Sequence, residues 1–207
     1  MRVIYLMRHS EGLKNVNNFI NNDSLQIINE KNPLSVVGEE RAKKLADSEE
    51  LKDIDLVISS NYVRAMATAK YIANKNNMSL NIMEGFGERK FGVSSWDELP
   101  ADFEERQLED IDFKMEQGES RREVADRMDN SLMRVLDECY YDRIVIVSHA
   151  TAITFLLMKY GKVIDGNLFF KDRVILDKEF SWCAPDVFKL TFNNKELIDI
   201  THIDLEF

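Results

Sequence analysis

Apolar and polar positions follow two different periods along this chain. Residues 2–7 (RVIYLM) form a short unbroken apolar run that stops at Arg8-His9-Ser10, as expected of a buried strand. Residues 10–33 are polar, hold seven asparagines and predict a loop or poorly regular segment. Pro33-Leu34-Ser35 then opens a helix, with Ser35 as N-cap and Val36, Val37, Ala42, Leu45 and Ala46 as its apolar face. A second strand is predicted over 55–59, a helix over 62–74 and a third strand over 80–83. From 86 to 118 the pattern loosens, which reads as an insertion over a site rather than a core element. Ser120 and Glu123 make a capping box for a helix carrying Val124, Met128, Leu132, Val135 and Leu136 at helical spacing. Another apolar strand covers 143–147, with Ser148-His149 and a helix over about 151–160 behind it. The segments 187–192 and 197–203 read as a hairpin around Asn193-Asn194. Strands alternating with helices imply an α/β fold. The expectation is a three-layer α/β/α architecture with a mostly parallel central sheet, in a single domain over 1–207 with an irregular or helical insertion at about 86–118.

Composition narrows the class. The chain has 207 residues, 44% of them hydrophobic and 31% charged, as in ordinary globular domains. Lys plus Arg is 27 and Asp plus Glu is 37, a net charge of −10, which argues against a nucleic-acid partner. The two cysteines, Cys139 and Cys183, have no metal-like spacing and are expected to be free thiols. No apolar run is long enough for a bilayer, and the first ten residues do not make a signal peptide. No membrane association and a cytoplasmic location are expected; the oligomeric state is not readable.

The chain has three histidines, and two of them, His9 and His149, stand just past the carboxyl end of an apolar strand. Open α/β sheets build their sites at that edge. Arg64 lies one turn into the helix after the second strand, with Thr68 one turn further on the same face. Three strand ends thus deliver Arg8 with His9, Arg64, and His149 to one edge, which describes an anion site. Arginine suits phosphate because its planar fork donates two parallel hydrogen bonds and keeps its charge. His202 reads as a core-edge histidine outside the site, and Trp182 as packing alone. Trp96, Phe103 and Phe113 either line a substrate pocket or pin the insertion to the domain. No Gly-x-Gly-x-x-Gly or Gly-x4-Gly-Lys-Ser/Thr follows any strand, so a nucleotide-binding domain is poorly supported.

Several blocks, in order, resemble the histidine phosphatase superfamily, the phosphoglycerate mutase-like proteins. They are Arg8-His9-Ser10-Glu11, Asn15, Leu34-Ser35 with Gly38 and Ala42, Ser59-Ser60 with Arg64-Ala65 and Thr68-Ala69, and Glu88 in Gly87-Glu88-Arg89-Lys90-Phe91-Gly92. Gly118-Glu119-Ser120 with Glu123 and Arg127, and Val147-Ser148-His149, complete the set. The resemblance runs from residue 1 to about 160. Departures are Ser10 for a glycine, Gly12 for a serine or threonine, Arg41 for a glutamine, and Ala150-Thr151 for a glycine. Ser10 and Ala150 are expected to narrow the pocket or shift its backbone.

The resemblance implies a phosphatase that hydrolyses small phosphorylated metabolites through phosphohistidine. His9 would be the nucleophile, its second nitrogen held by a backbone carbonyl. Arg8, Arg64 and His149 would bind the phosphoryl oxygens, Asn15 would add a neutral hydrogen bond, and Glu88 would serve as acid and then base. No metal and no cofactor are expected, since the arginines supply the positive charge. Two alternatives stay open: phosphoglycerate mutase-type transfer, and a catalytically weak relative that binds a phosphorylated ligand. Residues 97–119 hold ten acidic and two basic side chains. Facing the pocket, they would repel a bisphosphorylated cofactor and favour the phosphatase over the mutase.

Overall fold

The computed structural model describes residues 1–14 and 23–205. Its main sheet has six strands: β1 (Arg2–Arg8), β2 (Leu56–Ser59), β3 (Leu80–Ile82), β4 (Arg143–Ser148), β8 (Asp186–Asn193) and β9 (Glu196–Ile203). Their order is β3-β2-β4-β1-β8-β9. The pairs from β3 to β1 are parallel, and β8 and β9 add an antiparallel edge. The central sheet is therefore mostly parallel, as expected.

The apolar runs are buried on both faces. On one face Ile4, Leu6, Ile144 and Ile146 pack against α5 (Arg121–Glu138) and α6 (Ala150–Tyr160). On the other, Tyr5, Met7, Val145 and Val147 meet α2 (Val36–Ala46) and α3 (Val63–Lys75). Alternate side chains leave a strand on opposite faces, so one continuous apolar run feeds two cores and sets three layers. The caps stand where the sequence puts them. Ser35 accepts from Gly38 N, and Ser120 and Glu123 exchange both bonds of the capping box. All five apolar positions expected on α5 are buried.

Parallel register aligns the strand ends. Arg8 pairs with Ser148, and Ser59 with Val147. The ladder continues one step past them, His9 N donating to Ser148 O and Ser60 N to Val147 O, both at 3.0 Å. Arg8-His9, Ser60 and His149 thus leave the sheet side by side.

Two segments depart from expectation, the first being the polar stretch before Pro33, which contains a helix, α1 (Leu25–Lys31), whose Leu25 is buried. The segment over 86–118, expected to be irregular or helical, carries α4 (Phe103–Glu109) and a small apolar core of Leu25, Phe91 and Phe103, with Phe113 against it. Arg89, buried, ties this unit together with a fork onto Glu104 at 2.8 and 2.6 Å and a bond to Gln107 at 2.7 Å. Phe103 and Phe113 therefore pin the insertion, while Trp96 lies on the surface against Phe91. A second sheet of β5 (Lys162–Ile164), β6 (Asn167–Phe170) and β7 (Arg173–Leu176) follows α6. β5 is exposed throughout and β7 over its first half, so no buried apolar run marks these strands in the sequence. Among the described residues no helix is long and apolar enough to cross a membrane.

Candidate active site

The first imidazole is held from both sides. His9 Nδ1 lies 2.6 Å from the Ser10 carbonyl oxygen, which only accepts, so Nδ1 carries the proton. His9 Nε2 is then the lone-pair nitrogen, and it accepts from Arg64 Nε at 2.8 Å. Burial, with Arg64 and Arg8 nearby, holds the His9 pKa well below the ordinary histidine value. The ring is neutral at pH 7 and 7% exposed, enough to face a cavity of about 360 Å³ that Arg8, Arg64, Glu88 and Ala150 also line.

Arg64 organises the second imidazole. Its Nη2 lies 3.2 Å from His149 Nδ1, and His149 Nε2 lies 2.8 Å from Ser60 Oγ. A guanidinium only donates, so Nδ1 accepts and Nε2–H donates to Ser60. His149 is fully buried, its pKa lowered first by burial and then by His9 and Arg64. It does not line the cavity; it stands behind Arg64, with its ring centroid 5.0 Å from that of His9. Ser60 belongs to a recognised block, yet its bond to His149 crosses 89 residues and no local pattern announces it.

Arg8 is anchored by backbone. Its Nη1 donates to the carbonyls of Trp182 and Cys183, both at 3.0 Å, so Trp182 does more than pack. Arg8 Nε is buried with no hydrogen-bond partner. Among the described residues neither Arg8 nor Arg64 has a carboxylate at ion-pair distance; the acidic partners go to other cations, as Glu11 to Arg41 and Asp186 to His202. Burial pulls both guanidinium pKa values down, and Glu88 pulls them back up.

Glu88 reaches the same cavity from the start of the insertion. Its Oε1 accepts from Arg89 N at 2.9 Å and from Ala152 N at 3.0 Å, in the first turn of α6. Both bonds end on Oε1, which leaves Oε2 as the oxygen able to hold a proton. Asn15 lies outside the described residues. None of the carboxylates of residues 97–119 lines this cavity. Glu104, Asp112 and Glu119 pair with Arg89, Arg122 and Arg127 instead. The charge argument against a bisphosphorylated cofactor therefore loses its premise.

The departures at Ser10 and Gly12 have structural accounts. Ser10 is fully buried, its hydroxyl donating to Gly38 O at 2.7 Å and its N–H to Thr68 Oγ1 at 3.0 Å. It points into α2 and leaves the cavity alone. Gly38 is required there, because a Cβ would sit 2.0 Å from the Glu11 carbonyl oxygen. Gly12 lines the cavity, and a Cβ on it would come within 3.3 Å of the Asn32 side chain.

The site is thus the edge of a mostly parallel α/β sheet that gathers a buried and a half-buried arginine, neither at ion-pair distance from a carboxylate among the described residues, with two neutral imidazoles. The chain belongs to the histidine phosphatase superfamily (branch 1), whose profile matches residues 4–168. Probable phosphoglycerate mutase GpmB of Escherichia coli is 29% identical over 164 residues, covering 76% of this chain and 74% of the relative. Among solved structures, mycobacterial glucosyl-3-phosphoglycerate phosphatase in complex with VO3 superposes with a TM-score of 0.70 at 17% identity, covering 99% of both chains. Phosphoserine phosphatase of Entamoeba histolytica in complex with 3-phosphoglyceric acid gives 0.68 at 19% identity, covering 97% of both.

Proposed function

We propose that this protein is a metal-independent phosphomonoester hydrolase that works through a phosphohistidine on His9, on a small phosphorylated metabolite in the cytoplasm. The observation that carries the reading is the buried Arg64 and half-buried Arg8, neither at ion-pair distance from a carboxylate among the described residues, lining one cavity with the neutral imidazole of His9. Such a pair is costly to bury without an anion to answer it.

His9 Nε2 attacks phosphorus in line, forming the P–N bond as the ester P–O bond breaks. Glu88 Oε2 gives its proton to the leaving alcohol oxygen. Water then attacks phosphorus, Glu88 takes the water proton, and the P–N electron pair returns to His9. Arg8 Nε and the Arg64 fork hold the non-bridging oxygens throughout, as charge builds on them. Arg64 is bonded to both imidazoles, so phosphate draws it off them. His149 Nδ1 is then uncovered: it takes the proton of the phosphate monoanion, Nε2 releases its own proton to solvent, and the Ser60 hydroxyl turns to donate to Nε2, which leaves Nδ1–H as a phosphate donor. The site works as part of one domain, with residues 86–118 forming its wall around Glu88.

The test is phosphate release across a panel of phosphomonoesters by wild type and His9→Ala, in excess EDTA. Turnover by wild type alone, with acid-labile, base-stable label trapped by rapid quench, is the expected result. Wild type no faster than His9→Ala would leave a phospholigand-binding protein, and strict dependence on divalent metal would sink the mechanism. The mutase reading draws on the names of the curated relatives. Interconversion of phosphoglycerates faster than phosphate release would favour it.

A further inference from the structure

A second cavity, of about 580 Å³, lies between α6 and the sheet β5-β6-β7. Small-molecule sites run to roughly 300–1,000 Å³. Its walls are apolar, with Met158, Leu168, Leu176, Phe180 and Trp182, but two cations, Arg121 and Lys178, stand in them. Arg121 is half-buried, its Nε is buried with no hydrogen-bond partner, and its Nη1 faces only Met158 Sδ at 4.0 Å. Of the neighbouring carboxylates, Asp112 pairs with Arg122, Glu123 with Lys114 and Asp126 with Lys159, while Asp110 acts on Arg121 from beyond ion-pair distance, its Oδ1 accepting from Asp112 N. The one acid on the wall, Asp177, accepts from Glu179 N and sits beside Lys178. Among the described residues no carboxylate lies at ion-pair distance from Arg121. A guanidinium N–H covered without a protein acceptor is a charged donor that an anion can satisfy.

This cavity and the phosphate site share no lining residue, but their walls lie one turn apart on α6. Ala150 lines the first cavity, and Thr154, one turn of α6 further, lines the second. Trp182 joins the two: its carbonyl accepts from Arg8, and its indole Nε1 donates to Thr154 Oγ1 at 3.1 Å. From Ala150 to Met158, beside Arg121, α6 rises by about 12 Å.

We infer that this cavity holds the leaving group, and that the preferred substrates are phosphomonoesters of an apolar alcohol ending in a carboxylate bound by Arg121. The inference rests on the phosphatase reading above. The offset along α6 calls for a carboxylate roughly 12 Å from the phosphate end of the substrate, the rise of eight helical residues.

The experiment compares 4-(4-carboxybutyl)phenyl phosphate with 4-pentylphenyl phosphate, which has the same body without the charge. Wild type is expected to prefer the carboxylate by about tenfold in kcat/KM, as one charge-assisted bond supplies. Arg121→Gln is expected to erase that preference through KM, leaving kcat and the pentyl ester unchanged. Val163→Phe, at a half-exposed position on the rim, should raise KM for both esters by filling the cavity. Equal rates in wild type, or a preference that survives Arg121→Gln, overturn the inference while the hydrolase reading stands. If neither ester is cleaved faster than by His9→Ala, the hydrolase reading fails instead. Ligand-detected NMR of 5-phenylpentanoate then decides the cavity alone. Binding lost in Arg121→Gln upholds it, and binding absent or unchanged overturns it.

Discussion

An imidazole attacks phosphorus only while its attacking nitrogen is free of a proton. The Ser10 carbonyl secures that for His9 by claiming Nδ1–H, and burial beside Arg64 keeps the second proton away. The acid limb of kcat/KM due to His9 is therefore expected below the ordinary histidine value of about 6.5. A pH–rate profile that bends at or above that value would contradict it. His149 makes a sharper case, because its two nitrogens face different partners, Arg64 and Ser60. With Nδ1 accepting from Arg64 its proton belongs on Nε2, and on vanadate binding the N–H is expected to move to Nδ1. Nitrogen-15 shifts of labelled histidine report the exchange directly. Glu88→Gln keeps an acceptor for the Arg89 and Ala152 N–H groups but cannot donate a carboxyl proton. It is expected to lower kcat by roughly 10²–10⁴, least for esters with good leaving groups, in a series of aryl phosphates.

Each element around the site is held by means its own sequence shows unequally. The capping residues Ser35, Ser120 and Glu123 act within four positions, so pattern reading finds them. The insertion is held by contacts between distant residues, with Arg89 forked onto Glu104 and Phe103 buried against Phe91 and Leu25. Phe103→Ala is expected to cost about 3–5 kcal/mol locally, seen as a loss of hydrogen-exchange protection around α4 before any change in the central sheet. Gly92 has φ of 75°, and a Cβ there would lie 2.0 Å from Gly118 N. Gly92→Ala must therefore push two backbone segments apart. Its expected signature is a loosened insertion with Glu88 displaced, read as a fall in kcat larger than the fall in Tm suggests.

Across the molecule, histidines pull stability in opposite directions with pH. His9 and His149 have lowered values in the fold. Their effect is absent above about pH 6.5, and stability falls below it as the unfolded chain takes up protons that the folded rings refuse. His202 is raised, chiefly by its hydrogen bond with Asp186. Its contribution is full below about pH 6.5 and fades as pH rises through the raised folded value. His202→Asn is thus expected to lower the urea midpoint more in mild acid than in mild alkali. An equal loss across that range would mean that packing against Phe180 and Phe188, and not the charge pair, is what His202 supplies.

The layered α/β plan, the caps and the strand-end places of Arg8, His9, Arg64 and His149 were legible in the chain because each rests on short-range periodicity or spacing, whereas Glu88 was legible only through its resemblance to a family block. A strand buried on both faces announces itself by an unbroken apolar run, and the end of that run marks the edge where ligands sit. Which way Arg64 points, that Ser60 holds His149, that Trp182 and Cys183 offer their carbonyls to Arg8, and that Arg121 faces an apolar cavity were legible nowhere. Those contacts join residues that meet only after the layers pack, and several use backbone atoms, which every residue type carries alike.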